Sequence, residues 1–188
     1  MERRMVYDKV IEGKYVNLRS VLEDDIEFTY NIRKDPQFHG MMGCAALTIE
    51  EQSCYIMQQI KKENDYYFVI ENKKGKSIGL IGVYDINEKI AEEGRSVSYG
   101  SPLENIEAGL LIDFFEREIL KLEWIRINIY EENKKMIHMC RRLGYEEIGK
   151  DTRGGKKSIV MQISCKLGNS RREGYLNIIR DFEGGYDG

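Results

Sequence analysis

Between residues 103 and 143 the apolar spacing changes period twice, and this limits the fold more than any other feature of the chain. Leu103, Ile106, Leu110, Leu111, Phe114, Phe115 and Ile119 recur at three- and four-residue steps, a broad buried stripe on one long helix. The segment WIRINIY, residues 124–130, then alternates strictly, with Ile125, Ile127 and Ile129 on one face of a strand. ENKKMIHMCRRLGY returns to helical spacing, with Met136, Ile137, Cys140 and Leu143 inward and Gly144 just past the helix end. A strand set between two one-faced helices requires layers, with helices packed on a sheet.

The remainder fits that plan. Residues 15–21 read as a strand, followed by a helix that carries acids in its first turn and stops at Pro36. Thr48 and Glu51 form a capping box that opens a helix running to about residue 62. Residues 66–72 and 77–86 read as a hairpin around Gly75, residues 87–94 as a polar loop, and residues 95–100 as a short strand. Residues 145–150 and 157–166 read as two closing strands. The expected order is β-α-α-β-β-β-α-β-α-β-β, an α/β fold with a mixed sheet and helices on both faces. Residues 1–166 are read as one domain. Residues 167–188, rich in Gly and charge, are read as a C-terminal tail that could dock on the body or support a homodimer, with YLNIIRDF, residues 175–182, as a candidate short amphipathic helix.

The charge balance narrows the function. Net charge is −3 and the basic residues are scattered, so there is no electrostatic footprint for nucleic acid. No run of about eighteen apolar residues exists, which excludes a membrane-spanning helix. The first residues, MERRMVYDKVIEGKY, are too polar for a secretory signal, so a cytoplasmic protein is expected. Four cysteines without a C-x-x-C pair and two distant histidines favour neither a metal site nor a disulfide scaffold.

The stretch YGSPLENIEAGLLIDFF raises the question of a phosphate site. A helix that starts just after a strand presents N–H groups suited to phosphate, usually within a glycine-rich loop. Here Ser101, Pro102 and Glu104 form a near-ideal helix start, and Glu104 and Glu107 would bring negative charge to it. Alternatively the helix starts near Ile106 and leaves earlier amides free.

Several local features, in order, resemble the GNAT superfamily of acyl-CoA-dependent N-acetyltransferases over roughly residues 10–166. They are Leu18-Arg19 followed by Glu23-Asp24-Asp25, Ser77-Ile78-Gly79, Glu107-Ala108, Asn133, and Leu143-Gly144-Tyr145. The similarity is closest to the branch with ribosomal-protein-alanine and amino-sugar acetyltransferases. The resemblance implies a sheet splayed at its middle, with the strand at 95–100 parting from that at 124–130. Acetyl-CoA would be the co-substrate, its pantetheine arm lying in the gap like an added strand. Val97, Ser98 and Tyr99, then Leu103, Asn105, Ile106, Glu107 and Ala108, and finally Asn133 and Lys135 are the implied cofactor-binding residues. Lys134 and Lys135 could offset the acidic helix start.

Cys140 stands where many relatives carry a tyrosine that protonates the departing thiolate, so it is a candidate acid. Tyr99 is the leading candidate for holding the amine or a water, with Tyr84, Glu71 and Asp85 behind it. The acceptor amine would enter between the first two helices, past Phe38, His39, Met41 and Met42. A protein N-terminal amine, an amino sugar and a small amine all fit. A GNAT-fold binding protein without catalysis is the alternative.

Overall fold

The computed structural model describes residues 5–38, 48–165 and 170–184. In chain order the elements are β1 (Ile11–Glu12), β2 (Val16–Ser20), α1 (Ile26–Lys34), α2 (Ile49–Gln59), β3 (Tyr66–Asn72), β4 (Ser77–Asn87) and β5 (Ile90–Ser98). They continue as α3 (Pro102–Phe114), β6 (Trp124–Tyr130), α4 (Lys134–Arg142), β7 (Glu146–Arg153), β8 (Lys156–Ser164) and α5 (Ser170–Gly184). The strands form one sheet in the order β1-β2-β3-β4-β5-β6-β8-β7, antiparallel except at β5–β6. This is the mixed α/β architecture read from the sequence.

Two apolar clusters hold the layers together. On one face α1 and α2 cover the sheet through Ile32, Ile56, Tyr67, Leu80 and Val97, all buried. On the other face α3, α4 and α5 pack onto Leu18, Phe68, Ile125 and Met161. Phe115 is fully buried at the end of α3, with the rings of Tyr7, Tyr66 and Phe68 about it at 4.9–5.1 Å, edge-on. A π-turn at Phe115–Ile119 follows α3 and leads the chain back to β6.

Two readings of the sequence are corrected. Residues 87–94 are not a polar loop: β4 and β5 form one long hairpin with Asn87 opposite Ile90. The strand was hidden because Glu92 and Glu93 sit on its opposite faces, each matched by an arginine rather than by water. Tyr99 and Gly100 are also outside the strand, because β5 ends at Ser98. Beyond residue 169 the chain forms α5, which packs against α3 and buries Arg171, Tyr175 and Ile178.

Candidate active site

The cleft exists because two neighbouring strands stop pairing. β5 stays paired with β4 as far as Ser98, and β6 stays in register with β8 along its whole length. Between β5 and β6, among the described residues, the ladder holds only Ile90↔Trp124, Ala91↔Ile125 and Glu92↔Arg126. Beyond Glu92 the strands part. From Gly82↔Gly94 to Leu80↔Val97, β4 advances two residues and β5 three, so β5 bulges at Arg95 and Ser96.

Arg95 adopts a left-handed backbone, φ +54°, which costs a non-glycine residue on the order of 1 kcal/mol. Its side chain offsets that cost. Nη2 donates to Asp65 Oδ2 at 2.9 Å and the guanidinium lies 4.1 Å from the Tyr84 ring centroid. Burial of Asp65 pushes its carboxyl up, but the hydrogen bonds and charge of Arg95 prevail and hold it below the ordinary carboxylate value.

The parted strands, α3 and α4 enclose a cavity of about 850 Å³. That volume suits an organic ligand of moderate size. Val97, Ser98, Asn105, Ile106, Ala108 and Asn133 line it, so six of the implied cofactor residues converge there. Tyr99, Leu103, Glu107 and Lys135 are not among the lining residues.

Glu107 turns the other way. Its carboxylate accepts the backbone N–H groups of Lys14, Tyr15 and Val16 in the turn between β1 and β2, at 2.7 Å from Lys14 N and Val16 N. Gly13 makes room for it: a Cβ there would stand 2.6 Å from Glu107 Oε2. The Glu107 charge foreseen beside the phosphate site is therefore taken up by the β1–β2 turn, whereas Glu104 stays at the helix start. The start of α3 takes the first of the two readings above. Ser101 caps it, Pro102 is the first helical residue, and Glu104 completes the capping box. Pro102 lacks an N–H, while those of Glu104 and Asn105 bond to Ser101. This helix start is largely satisfied from within.

The two catalytic candidates are also repositioned. The Tyr99 hydroxyl donates to Asp35 Oδ2 at 2.8 Å, and its ring rests 5.3 Å from that of Phe38. It ties β5's end to the α1 terminus at the rim, not in the cleft. Cys140 does line the cleft, but burial, reinforced by the Glu93 charge, pushes its thiol up to about 12. Donating a proton from there to a thiolate of ordinary pKa near 8.5 is uphill by several units. Cys140 packs in the core on α4 and forms part of the cleft wall. Of the other candidates, Glu71 holds Arg19 at 3.0 Å and Asp85 is exposed in the β4–β5 hairpin.

Tyr84 is the candidate placed in the cleft. Its hydroxyl donates to Glu92 Oε1 at 3.0 Å, and Arg153 grips the same carboxylate, Nη2 to Oε2 at 2.7 Å. Burial, with the Glu92 charge, keeps the phenol protonated far above neutrality. Glu92, Arg153, and the Arg33, Gln52 and Tyr55 group from α1 and α2 went unrecognised in the sequence. A charge pair spanning 61 residues leaves no local signal. Phe38 lines the α1–α2 side of the cleft; His39, Met41 and Met42 lie outside the described residues.

Among the described residues no group of three or more His, Cys, Asp or Glu is placed to hold a metal ion. No helix there is long and apolar enough to cross a membrane.

The family model for the acetyltransferase (GNAT) domain matches residues 16–146. Comparison with curated proteins gave no match. Among solved structures the chain is similar to apo FdhC, a nucleotide-linked sugar GNAT, at 20% identity and TM-score 0.77, over 93% of this chain and 98% of that one. It is similar to a GCN5-related N-acetyltransferase from Brucella melitensis at 16% identity and TM-score 0.73, over 89% and 84% of the two chains. A dodecameric spermidine N-acetyltransferase from Vibrio cholerae matches at 20% identity and TM-score 0.67, over 81% of this chain and 95% of that one. At these identities the structural likeness speaks for the fold.

Proposed function

The chain belongs to the GNAT acetyltransferase domain family and is an N-acetyltransferase, and from that premise we propose that it moves the acetyl group of acetyl-CoA directly onto a primary amine within the β5–β6 cleft. The observation that carries this reading is the parting of β5 from β6 beyond Glu92 around an 850 Å³ cavity. A thioester supplies an activated acyl group whose thiolate leaves readily without a dedicated acid. The freed backbone edge of β5 offers amide and carbonyl groups to a peptide-like arm. Asn133, whose Oδ1 caps α4 through Met136 N at 3.2 Å, lines the same channel.

The amine enters from the α1–α2 face. Because the Tyr84 hydroxyl spends its proton on Glu92, its oxygen is left to accept a hydrogen bond from an incoming N–H or a water. Tyr84 and Glu92 thereby orient the amine and pass its proton toward solvent. The strand edge, rather than the start of α3, carries most of the grip on the carrier, since Ser101 and Glu104 already satisfy that helix end.

The test is release of free thiol from acetyl-CoA in the presence of a panel of primary amines, with calorimetry of acetyl-CoA alone. Binding, followed by amine-dependent thiol release, supports the reading. No heat at millimolar acetyl-CoA overturns it.

A further inference from the structure

We propose that Arg171, on the C-terminal helix α5, is a positioning residue that fixes Glu93 and so keeps β5 parted from β6, making α5 a wall of the active-site cleft rather than an appendage. Glu93 is the first residue of β5 beyond the last β5–β6 pair, Glu92↔Arg126. Open strand edges tend to pair, so a lasting fork needs something to hold it. Glu92 and Glu93 point to opposite faces, and each is gripped by an arginine from a distant element. Arg153, from β7, takes Glu92. Arg171 takes Glu93 and reaches Glu116 at 2.6 Å and Asp113 at 3.5 Å on the α3 side. One guanidinium therefore links β5 to α3 at the fork.

The cage around Arg171 is buried. Arg171 is 3% exposed and Glu116 fully enclosed. Asp113 also binds Arg117 Nε at 2.9 Å. Burial, despite the Arg171 charge, pushes the Glu116 carboxyl well above the ordinary carboxylate value. Two arginines, Arg117 and Arg171, thus meet three acidic side chains, Glu93, Asp113 and Glu116, in one buried set. Such a set persists only while all partners are present. The Tyr145 and Tyr175 rings flank the guanidinium at 5.4 and 5.8 Å.

Two glycines seat α5 against the cleft. A Cβ on Gly109, inside α3, would come within 2.5 Å of Tyr175 Cζ, and one on Gly174 within 3.1 Å of Leu143 Cδ2. Glycine inside a helix costs stability, so these positions favour close approach over helix strength. Tyr175 consequently lines the cleft beside Cys140 and Gly109.

The inference rests on the cleft being the acetyl-CoA site, and the experiment separates the two. Wild type, Glu93→Gln, Arg171→Lys and Ile178→Ala are compared by calorimetry with acetyl-CoA, by thermal melting, and by hydrogen exchange without ligand. Ile178→Ala weakens α5 docking away from the fork. Glu93→Gln spares the other Arg171 partners and is the variant expected to fold. The clamp predicts about tenfold weaker acetyl-CoA binding and faster exchange at residues 94–98 in Glu93→Gln, partial retention of affinity in Arg171→Lys, and near-wild-type affinity in Ile178→Ala at a comparable melting shift. Equal affinities in Glu93→Gln and wild type, or losses in Ile178→Ala as large as in Glu93→Gln, would overturn it. If wild type itself ignores acetyl-CoA, the proposed activity fails instead. Exchange at 94–98 then decides the clamp alone: unchanged rates in Glu93→Gln refute it.

Discussion

Replacing Glu107 with alanine tests the claim that its carboxylate serves the turn at residues 13–16 and not the cofactor. Three backbone N–H groups converge on it, from Lys14, Tyr15 and Val16. Hydrogen bonds to a charged acceptor contribute about 1.5–3 kcal/mol each, and a buried donor left unmade costs a similar amount. Lys14 is exposed and Val16 fully buried, so water can replace the carboxylate at the first amide and not at the last. Counting about two unrecovered bonds at the lower end gives roughly 3 kcal/mol. At about 2–4 °C per kcal/mol for a chain of this size, the melting temperature should fall by roughly 6–12 °C. Urea unfolding gives the free energy, and calorimetry with acetyl-CoA on the folded variant gives the second readout, which should stay near wild type. A loss below about 1 kcal/mol, or tighter acetyl-CoA binding on removal of the carboxylate, would refute the assignment.

Other outcomes follow from the same geometry. Tyr84→Phe should lower turnover by about tenfold or more with little change in acetyl-CoA affinity, since the hydroxyl faces the amine; equal kcat in the variant would remove Tyr84 from the mechanism. Cys140→Ala should retain turnover within a few-fold, and the native thiol, pushed up to about 12, should resist alkylation at pH 8. Glu116 has a folded pKa raised by burial, so its contribution to stability is complete below the ordinary carboxylate range and is lost as pH rises through the folded value. Glu116→Gln should therefore flatten the decline of stability on the alkaline side of about pH 4.5, read from melting curves across pH.

How much of this was legible in the sequence depended on range. The capping boxes at Thr48/Glu51 and Ser101/Glu104 lie within four residues; the first is present as read, and the second decides between the two helix starts left open above. The period changes along α3, β6 and α4 likewise report local burial. The first half of β5 escaped because its adjacent acids break alternation, and only distant Arg153 and Arg171 make sense of them. The short helix read at residues 175–182 begins earlier, at Ser170, and its buried face includes an arginine whose partners lie 55 and 78 residues away, which no local pattern reveals. Glu107 was read as charge at a helix start because nothing local reveals that residues 13–16 fold back over it. Asn133, Ala108 and Val97 were placed at the cleft by resemblance, whereas Tyr99 and Cys140 were set aside by a rim contact and by desolvation.

Hydrogen exchange of the full chain with and without saturating acetyl-CoA tests the central claim most directly. Protection confined to residues 93–98 of β5 and 127–130 of β6, with little change at 102–105, is the predicted pattern. Slow exchange along both strands before ligand is added, or protection that skips them altogether, would contradict a thioester carrier lying between them.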